Sequence, residues 1–425
     1  MKRPRLAIIG SGISGLGCAH FLHPHFDVTI FEQGAHAGGH TNTVTVKEDG
    51  RDVPIDTGFM VFNHVTYPLL TRLFKELEVE TKPTDMSFSV THGPSGFEYN
   101  GSGLNGLFAQ RANLFKPRFW RFLKDINRFN EEAAAALDDP RYADITLGDY
   151  CLAKGYSADF LEIYIVPMAS AVWSTPPAKM LSFPALTLIR FWQNHGFLGL
   201  HTQHPWWTVS GGAKSYVTKL TAPFRERVHL NRAAARVERT ATGVRVTPAD
   251  GEAEIFDKVI LASHADQSLA MLADPSDEEA RLLGAFRYQP NTATLHTDPR
   301  FMPRTRRCWA SWNYRVDQGP NLTIQASTNY WMNRLQGVSD RENYFVSINA
   351  DHREAPERVI KTIAYEHPLF DLGAIAAQRE LPSLNRLSPE QSTYYCGAYF
   401  RYGFHEDGFM SAVNLCRDLL GKEPW

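Results

Sequence analysis

Long apolar runs are missing from this sequence. No stretch of about 18 uncharged apolar residues occurs, so the sequence predicts no membrane-spanning helix. Lys2, Arg3 and Arg5 precede the apolar residues 6–9 as in a signal peptide, but this apolar run is far too short and ends at a glycine turn. We therefore expect a cytoplasmic protein.

Paired cysteines and an excess of one charge are also missing. The five cysteines, at positions 18, 151, 308, 396 and 416, form no C-x-x-C pair, which argues against a metal site or a dithiol centre. The formal net charge of −2 provides no field that would attract nucleic acid. A chain of 425 residues is long enough for about two or three domains.

A glycine motif stands near the start of the chain. Residues 6–9 predict a short buried strand, and Gly10, Gly12 and Gly15 then form G-x-G-x-x-G at the turn into a helix. In this motif the first glycine permits the tight turn, and the second lets the backbone approach a pyrophosphate. The helix N-terminus adds N–H groups and a positive dipole. Residues 27–33 predict the next strand, and Glu32 lies 20 residues beyond Gly12, where an acidic residue binds ribose hydroxyls.

The rest of the chain alternates between segments of helical character and segments of strand character. Residues 80–205 are helical and aromatic in character, and strand character returns at 227–263, where two turn sequences separate alternating β-branched residues. Four further segments predict an antiparallel sheet in a second domain: 291–297, 308–316, 322–328 and 343–350. The sequence thus predicts an α/β protein with a discontinuous Rossmann-type domain and an α+β domain that has an antiparallel sheet and a helical lobe.

Further motifs follow the glycine turn in a fixed order. They are Glu32, Gly38-Gly39, Asp56-x-Gly58, Gly211-Gly212 and the terminal YGFHEDGFMSA. In this order the chain resembles, from end to end, the FAD-dependent amine oxidase and phytoene desaturase superfamily. The segments DTGFMVFNHVTYP, DMSFSV and GAYFRYGFHEDG look closest to the flavoprotein region fused ahead of plant cyclopropane-fatty-acid synthases and to its stand-alone bacterial relatives.

The resemblance implies FAD as the cofactor, an FAD-binding domain and a substrate domain. The FAD-binding domain would comprise residues 1–80, 205–284 and 386–425, and the substrate domain residues 81–204 and 285–385. Relatives usually have Arg where His40 stands, and an acidic residue where Ala398 follows Gly397. The cofactor-binding residues that the resemblance implies are Gly10, Gly12, Ser14, Gly15, Glu32, Gln33, Gly39, His40, Thr57, Gly58, Val237, Gly397, Glu406, Asp407 and Gly408.

The terminal segment 401–413 holds three ionisable side chains before a short helix. In the family, the last helix directs its N-terminus at the pyrimidine end of the flavin ring. Asp407 and Gly408 would begin this helix, with Asp407 as its cap, and His405 matches the position that faces the ring. The alternative is a capping Asp407 beside a surface His405 and Glu406.

The reaction is constrained by another absence. Amine oxidases of the superfamily carry a lysine near flavin N5, but this chain has no lysine from 259 to 360, which covers that region. Desaturation or isomerisation of a hydrocarbon chain is therefore favoured, with residues 160–177 and 183–192 as tunnel walls or as plain core. His64 and Tyr67 are the candidates for proton abstraction, with His405 over the ring.

Two functions compete at this stage. The first is an FAD-dependent oxidoreductase, desaturase-like rather than an amine oxidase, that acts on a phospholipid-bound or methyl-branched fatty acyl chain. The second is a flavin-bearing accessory partner of an S-adenosylmethionine-dependent lipid methyltransferase. An oxidase of small polar substrates is a third alternative.

A membrane surface is a further expected partner. Residues 114–129 predict an amphipathic helix that begins near 116. Docking at the inner face of the membrane is one use of such a helix, and packing of its aromatic side chains into the substrate lobe is the other. One face would carry Phe115, Phe119, Phe122, Leu123, Ile126 and Phe129, and the other Arg118, Arg121, Lys124 and Arg128.

Overall fold

A computed structural model describes residues 3–199, 202–386 and 391–425, so that Lys2 lies outside the described residues. Its strands are β1 (Arg5–Ile9), β2 (Asp27–Phe31), β3 (Thr43–Glu48), β4 (Arg51–Asp56), β5 (Thr81–Thr84), β6 (Phe88–His92), β7 (Phe97–Asn100), β8 (Trp206–Val209), β9 (Val228–His229), β10 (Ala234–Thr240), β11 (Gly243–Pro248), β12 (Glu254–Phe256), β13 (Lys258–Leu261), β14 (Arg287–His296), β15 (Trp312–Gln318), β16 (Ile324–Trp331), β17 (Phe345–Ile348), β18 (Val359–Leu369) and β19 (Thr393–Tyr395).

The α-helices lie between these strands and after the last of them. They are α1 (Ile13–Leu22), α2 (Pro68–Glu76), α3 (Leu104–Leu107), α4 (Pro117–Glu132), α5 (Leu147–Ala153), α6 (Ala158–Phe160), α7 (Val166–Trp173), α8 (Pro177–Met180), α9 (Ala185–Asn194), α10 (Lys214–Thr221), α11 (Ala265–Met271), α12 (Asp277–Leu283), α13 (Met332–Leu335), α14 (Leu372–Glu380) and α15 (His405–Leu420). No helix within the described ranges is long and apolar enough to cross a membrane.

A five-stranded parallel sheet holds the two ends of the chain together. Its order is β19-β13-β1-β2-β9, and every pair in it is parallel. The carboxyl ends of parallel strands meet at one edge, so the glycine turn after β1 and the segment after β19 lie side by side. The predicted Rossmann-type arrangement is confirmed.

Helix α1 packs closely against the last helix of the chain. Nine of its ten residues are buried, because the sheet covers one side and α15 the other. A Cβ added at Gly17 would lie 2.8 Å from the Phe409 ring. At Gly15 it would lie 2.0 Å from the carbonyl oxygen of Gly10. Gly15 therefore allows α1 to approach the glycine turn, and Gly17 allows α1 to approach α15.

A second, seven-stranded sheet forms the other half of the molecule, in the order β18-β14-β17-β16-β15-β6-β7. The four strands predicted for an antiparallel sheet are β14 to β17, and they pair antiparallel where they adjoin. The sheet is nevertheless mixed, because β15 and β6 pair in parallel. Strands β6, β7 and β18 were not predicted. The meander expected at 227–263 is present as the antiparallel set β10-β11-β12, after which β13 rejoins the parallel sheet.

Helix α4 begins close to the predicted residue, but its aromatic face is covered. Phe119, Phe122 and Phe129 are at most 2% exposed and pack into the hydrophobic core of the helical lobe and β7. These three aromatic residues therefore pack into the lobe, as in the alternative of an outer helix, and association with a membrane stays a prediction. Phe115 lies before the helix and stays exposed.

Candidate functional site

A large cavity of about 1430 Å³ extends from the glycine turn to the seven-stranded sheet. Drug-sized ligands occupy roughly 300–1,000 Å³, so this cavity has room for a dinucleotide and a second molecule. The turn after β1, the end of β2 and the loop 38–42 line one part, and strands β14, β16 and β18 line the other. The segment 397–405 that leads into α15 lies between them.

Neither the backbone conformation nor contacts within the described protein require a glycine at position 12. Its φ of −67° suits any residue. A Cβ built there would meet no protein atom within 4 Å, whereas at Gly10 a Cβ would lie 2.9 Å from the carbonyl oxygen of Ala262. Gly12 faces the cavity at the start of α1, opposite Gly39, whose own Cβ would lie 3.1 Å from the Gly12 Cα. The two glycine loops thus form a cradle that fits a pyrophosphate at a helix N-terminus.

The Glu32 carboxylate is held at the edge of this cradle. Its Oε2 accepts hydrogen bonds from the Ser11 backbone N–H at 2.9 Å and the Ser11 hydroxyl at 2.6 Å. Its Oε1 accepts from the Gly34 N–H at 2.7 Å. A carboxylate has about four acceptor positions, so Oε1 retains one for a ribose hydroxyl. Glu32 therefore fits its predicted role, and the contact with Ser11 is one that sequence reasoning missed.

Several buried polar atoms around the cavity have no hydrogen-bond partner among the described residues. His40 Nε2 is buried without a hydrogen bond, although the ring lines the cavity. The same holds for Trp206 Nε1 and Trp312 Nε1. A buried polar group without a partner costs about 1–3 kcal/mol, and three in one cavity fit a site that a polar ligand completes. His40 thus lies where the cofactor was expected.

Six of the described histidines line the cavity, and the pKa is lowered in four that are buried there: His40, His264, His367 and His405. The His40 ring lies 5.2 Å from that of His367 and 6.2 Å from that of His264. Burial lowers the pKa of His40 and His264 to about 4 and that of His367 and His405 to about 3. All four imidazoles are therefore neutral at pH 7.

Acid is expected to destabilise the protein through these histidines. Unfolding restores pKa values near 6.5, so the unfolded chain binds more protons and stability is lost as the pH falls from about 6.5 to about 4. His264→Phe keeps the stacking on Tyr288 and should reduce the loss between pH 7 and pH 5 by about 1–2 kcal/mol. Urea unfolding at the two pH values measures it. His25→Phe, at an exposed position, should leave the loss unchanged, and equal slopes for all three proteins would contradict the assignment.

His405 is fixed by two hydroxyl groups and one ring. Its Nε2 lies 2.5 Å from the Tyr216 hydroxyl and 3.1 Å from the Thr41 hydroxyl. The imidazole stacks on Phe59 with ring centroids 3.9 Å apart. Sequence reasoning placed His405 in the site but missed its three partners, although Gly211-Gly212, shortly before Tyr216, was noted as a family motif.

The acidic residues after His405 do not face the cavity. Glu406 is buried, and its carboxylate accepts hydrogen bonds from the N–H groups of Leu69 and Leu70, at 3.0 and 2.9 Å, in the first turn of α2. Asp407 was expected to cap α15, but the helix begins at His405. Asp407 lies inside the first turn and accepts from the Phe404 N–H at 2.9 Å, and burial raises its pKa to about 7.

Gly408 also lies outside the cavity lining. A Cβ there would lie 2.9 Å from the Ser14 hydroxyl, so both residues serve the contact between α1 and α15, although Ser14 also borders the cavity. Glu406, Asp407 and Gly408 thus position the helix whose first residue is His405, and their assignment as direct cofactor contacts stays a prediction.

The remaining predicted cofactor residues divide in the same way. Gln33, Gly58 and Gly397 line the cavity. Thr57 is buried behind it, where its hydroxyl bonds to Tyr365 at 2.9 Å. Val237 belongs to the hydrophobic core, and the cavity instead reaches this region at Ala233 and Ala234. Gly15 lies behind the turn as well, for the packing reason given above.

The two predicted proton acceptors also separate. Tyr67 is buried and lines the cavity, and burial raises its pKa well above the usual range, so its hydroxyl is a donor at neutral pH. His64 is exposed outside the cavity, where it packs on Trp207 and reaches the Thr71 hydroxyl. The structure therefore does not bring His64 to the site.

Asp56 joins the two halves of the molecule, a role that its place in Asp56-x-Gly58 did not reveal. Both carboxylate oxygens accept from the Ala213 N–H at 3.0 Å, directly after Gly211-Gly212. Oδ2 also accepts from the Gln336 side chain at 2.7 Å, and burial raises the pKa of Asp56 to about 6. These hydrogen bonds fix the segment that carries Gly58 to the residue after Gly211-Gly212 and to Gln336, which lies between strands β16 and β17 of the seven-stranded sheet.

Comparisons with known proteins agree with this geometry. Wild-type putrescine oxidase bound to putrescine is similar in structure, with a TM-score of 0.68 and 13% identity over 99% of both chains. A CLA-producing fatty acid isomerase from P. acnes gives 0.69 and 14% over 99% of both chains. Reduced UDP-galactopyranose mutase gives 0.66 and 16%, over 98% of this chain and 96% of that one. No curated protein sequence matches. At these identities the likeness shows the fold.

The family follows from the sequence model that matches. Residues 13–420 match the model for flavin containing amine oxidoreductases, which is nearly the whole chain. The likeness to the flavoprotein region of plant cyclopropane-fatty-acid synthases and the domain boundaries stay predictions. The glycine cradle, the Glu32 carboxylate and the unpartnered His40 nitrogen all fit FAD. This chain belongs to the flavin-containing amine oxidoreductase family and is an FAD-dependent oxidoreductase.

Proposed function

We propose that this oxidoreductase acts on the acyl chain of a lipid and removes two hydrogens from adjacent carbons, which leaves a double bond. The observation that carries the proposal is the wall of the cavity beyond the glycine cradle. Among the described residues that line the whole cavity, none is Lys or Arg. Aliphatic and aromatic side chains form much of this wall, and the acyl chain is proposed to lie against them.

The wall is formed by side chains from both sides of the cavity. Helix α7 and the turn after it contribute Ser170 and residues 172–177, which belong to one predicted tunnel segment. Of the other segment only Phe191 reaches the cavity, and most of the remaining apolar residues of both segments pack into the core. Each CH₂ group buried against such a wall contributes about 0.8 kcal/mol. The apolar and aromatic lining residues are Val172, Trp173, Phe191, Phe197, Trp206, Trp312, Tyr314, Tyr330, Ile348 and Ile363.

Polar groups gather at the junction between this wall and the cradle. Bound FAD supplies a hydride acceptor at N5. Beside the junction, the Nε2 atom of neutral His405 lies within hydrogen-bond distance of the Tyr216 hydroxyl, at 2.5 Å. Tyr67 holds its own proton. These residues orient a reacting carbon and keep the junction in one protonation state without placing a cation there.

Amine oxidation is the main competing chemistry in the family. Strand β14, at the cavity wall, carries Asn291 and Thr292 among its lining residues and has no lysine. The structural likeness to a fatty acid isomerase supports the proposal from another side, because the same fold serves a fatty acid in that protein. The apolar wall and the absent lysine together favour an acyl substrate over an amine.

Product analysis tests the proposal. The holoenzyme is incubated in air with vesicles of phospholipid that carries monounsaturated or methyl-branched chains, and the released fatty acids are analysed by mass spectrometry. We expect a product two hydrogen atoms lighter than the substrate chain. Isomerisation would instead give a product of unchanged mass with a moved double bond. Unchanged chains together with binding of a lipid methyltransferase would favour the accessory role and overturn the proposal.

The cofactor is expected to be bound non-covalently, one FAD per chain. The described cysteines are all buried and free, and none of them lines the cavity. Acid precipitation of the yellow protein should therefore release the FAD into the supernatant, where its absorbance gives the stoichiometry. Colour that stays in the pellet would contradict the prediction and would point to a linkage through one of the cavity histidines.

A further inference from the structure

Large apolar side chains are exposed at the outer end of the helical lobe. Leu104 in α3 is 75% exposed, Phe115 is 87% exposed and Trp120 in α4 is 51% exposed. Trp120 links their neighbours: its indole N–H donates to the Leu114 carbonyl, next to Phe115, at 2.9 Å, and its ring lies 5.7 Å from that of Phe108, whose N–H donates to the Leu104 carbonyl at 3.0 Å. A contiguous exposed apolar patch of this kind marks an interaction site more often than a scattered set does.

The same surface is cationic. Residues 99–124 contain five Lys or Arg and no Asp or Glu. Arg118 pairs with Asp159. Within the described ranges the other four, Arg111, Lys116, Arg121 and Lys124, make no ion pair, and all are exposed. A positive field of this size attracts an anionic surface.

A small pocket of about 360 Å³ adjoins α3 and is lined by three arginines, of which Arg334 pairs with Asp85 at 2.7 Å. Arg306 and Arg307 line it together with Asn105, and neither arginine has a carboxylate partner in the described part of the chain. The Arg306 guanidinium stacks on Trp309 at 3.5 Å from the ring centre. Asn105 also accepts a hydrogen bond from Arg111, which ties the pocket to the apolar patch. Guanidinium groups beside amide donors suit a phosphate.

We propose that the protein docks on anionic membranes through this surface, called here the docking surface and defined by Leu104, Arg111, Leu114, Phe115, Lys116, Trp120, Arg121, Lys124, Arg306 and Arg307. The exposed apolar side chains enter the interface, the lysines and arginines lie among the headgroups, and the Arg306–Arg307 pocket receives one lipid phosphate. Each cation near such a surface contributes about 1 kcal/mol, so the free cations supply the attraction and the apolar side chains the insertion.

The position of the docking surface connects it to the cavity. Phe119 and Phe122 lie directly beneath it and pack with Ile163 in the segment that precedes α7. The Tyr99 hydroxyl, on the same side, bonds to the Ile163 carbonyl at 3.0 Å. Helix α7 then contributes Val172 and Trp173 to the cavity wall. The docking surface is thus linked to the cavity wall through the segment from Ile163 to Trp173.

Co-sedimentation of the holoenzyme with vesicles tests the inference without any turnover. Vesicles of neutral phosphatidylcholine are compared with vesicles that also contain phosphatidylglycerol, at low and high salt. We expect binding to the anionic vesicles only, weakened at least tenfold by high salt. Phe115→Asp and Arg121→Glu/Lys124→Glu should each reduce it about tenfold or more, and Arg307→Glu should also weaken it.

Matched variants elsewhere on the molecule serve as controls. Leu322→Glu changes a leucine that is 74% exposed on a distant hairpin, and Arg225→Glu reverses an exposed arginine near β9. Both should bind as the unmodified protein does. Equal recovery in the supernatant with and without anionic vesicles overturns the inference. So does binding that the docking-surface variants leave unchanged, or binding that free inorganic phosphate at constant ionic strength abolishes while Phe115→Asp does not weaken it. None of these three results bears on the proposed reaction.

Discussion

Gly12→Val is expected to give a folded protein that carries no FAD. A valine here meets no protein atom within 4 Å at its Cβ, and the native φ of −67° is an ordinary one. The cost to folding is therefore limited to about 1 kcal/mol for a poor helix N-cap residue. The same branched side chain projects into the cradle between Gly12 and Gly39, where the pyrophosphate approaches the backbone.

Absorbance of the purified variant measures the loss of FAD, and its thermal unfolding shows that the protein is folded. Gly251→Val is the matched control, because a Cβ at Gly251 also meets nothing closer than 3.8 Å but lies in a turn away from the cavity. This control should purify yellow. A Gly12→Val protein with a full complement of FAD would show that the cradle holds something other than the pyrophosphate.

His405→Ala is expected to keep FAD and to slow reduction of the flavin by substrate about 100-fold. The variant removes the group that Tyr216, Thr41 and Phe59 hold at the cavity wall. None of the cradle residues is touched, so the cofactor stays bound. Stopped-flow absorbance under anaerobic conditions measures the rate.

Two further variants test whether the reaction needs the His405 imidazole held in one orientation or only its presence. Tyr216→Phe keeps the stacked imidazole but removes the hydroxyl at 2.5 Å, so it should slow reduction less than His405→Ala and change the dependence of the rate on pH. His64→Ala changes a histidine outside the cavity and should react at the unmodified rate. If the flavin of His405→Ala is reduced by substrate as fast as that of the unmodified protein, His405 has no role in the reaction and serves only as the first residue of α15.

The parts of this molecule that sequence could predict are local in the chain. The glycine turn, Glu32 and the two strands around them fall within about thirty residues, and their spacing alone defines a known geometry. The four strands β14 to β17 were likewise visible, because alternating β-branched residues follow one another along a single segment. Strands β6 and β7 alternate in the same way, but they are only five and four residues long, and β6 pairs with β15 more than 200 positions further along the chain.

The parts that could not be predicted depend on residues far apart. Glu406 and Leu69 are 337 positions apart, and only the fold shows that the Glu406 carboxylate accepts a hydrogen bond from the first turn of α2. Tyr216 and His405 are 189 positions apart. The aromatic face of α4 shows the same limit, since periodicity reveals that a face is apolar but not whether protein or lipid covers it. Here protein covers it.

Anaerobic mixing tests the central claim most directly. The yellow holoenzyme is combined, without oxygen, with vesicles of phospholipid carrying unsaturated or methyl-branched chains, and separately with putrescine as the amine substrate. A cavity that holds FAD beside an apolar wall without Lys or Arg predicts that the flavin band bleaches with at least one lipid and stays unchanged with putrescine. A band that bleaches with putrescine and stays unchanged with every lipid would contradict the account.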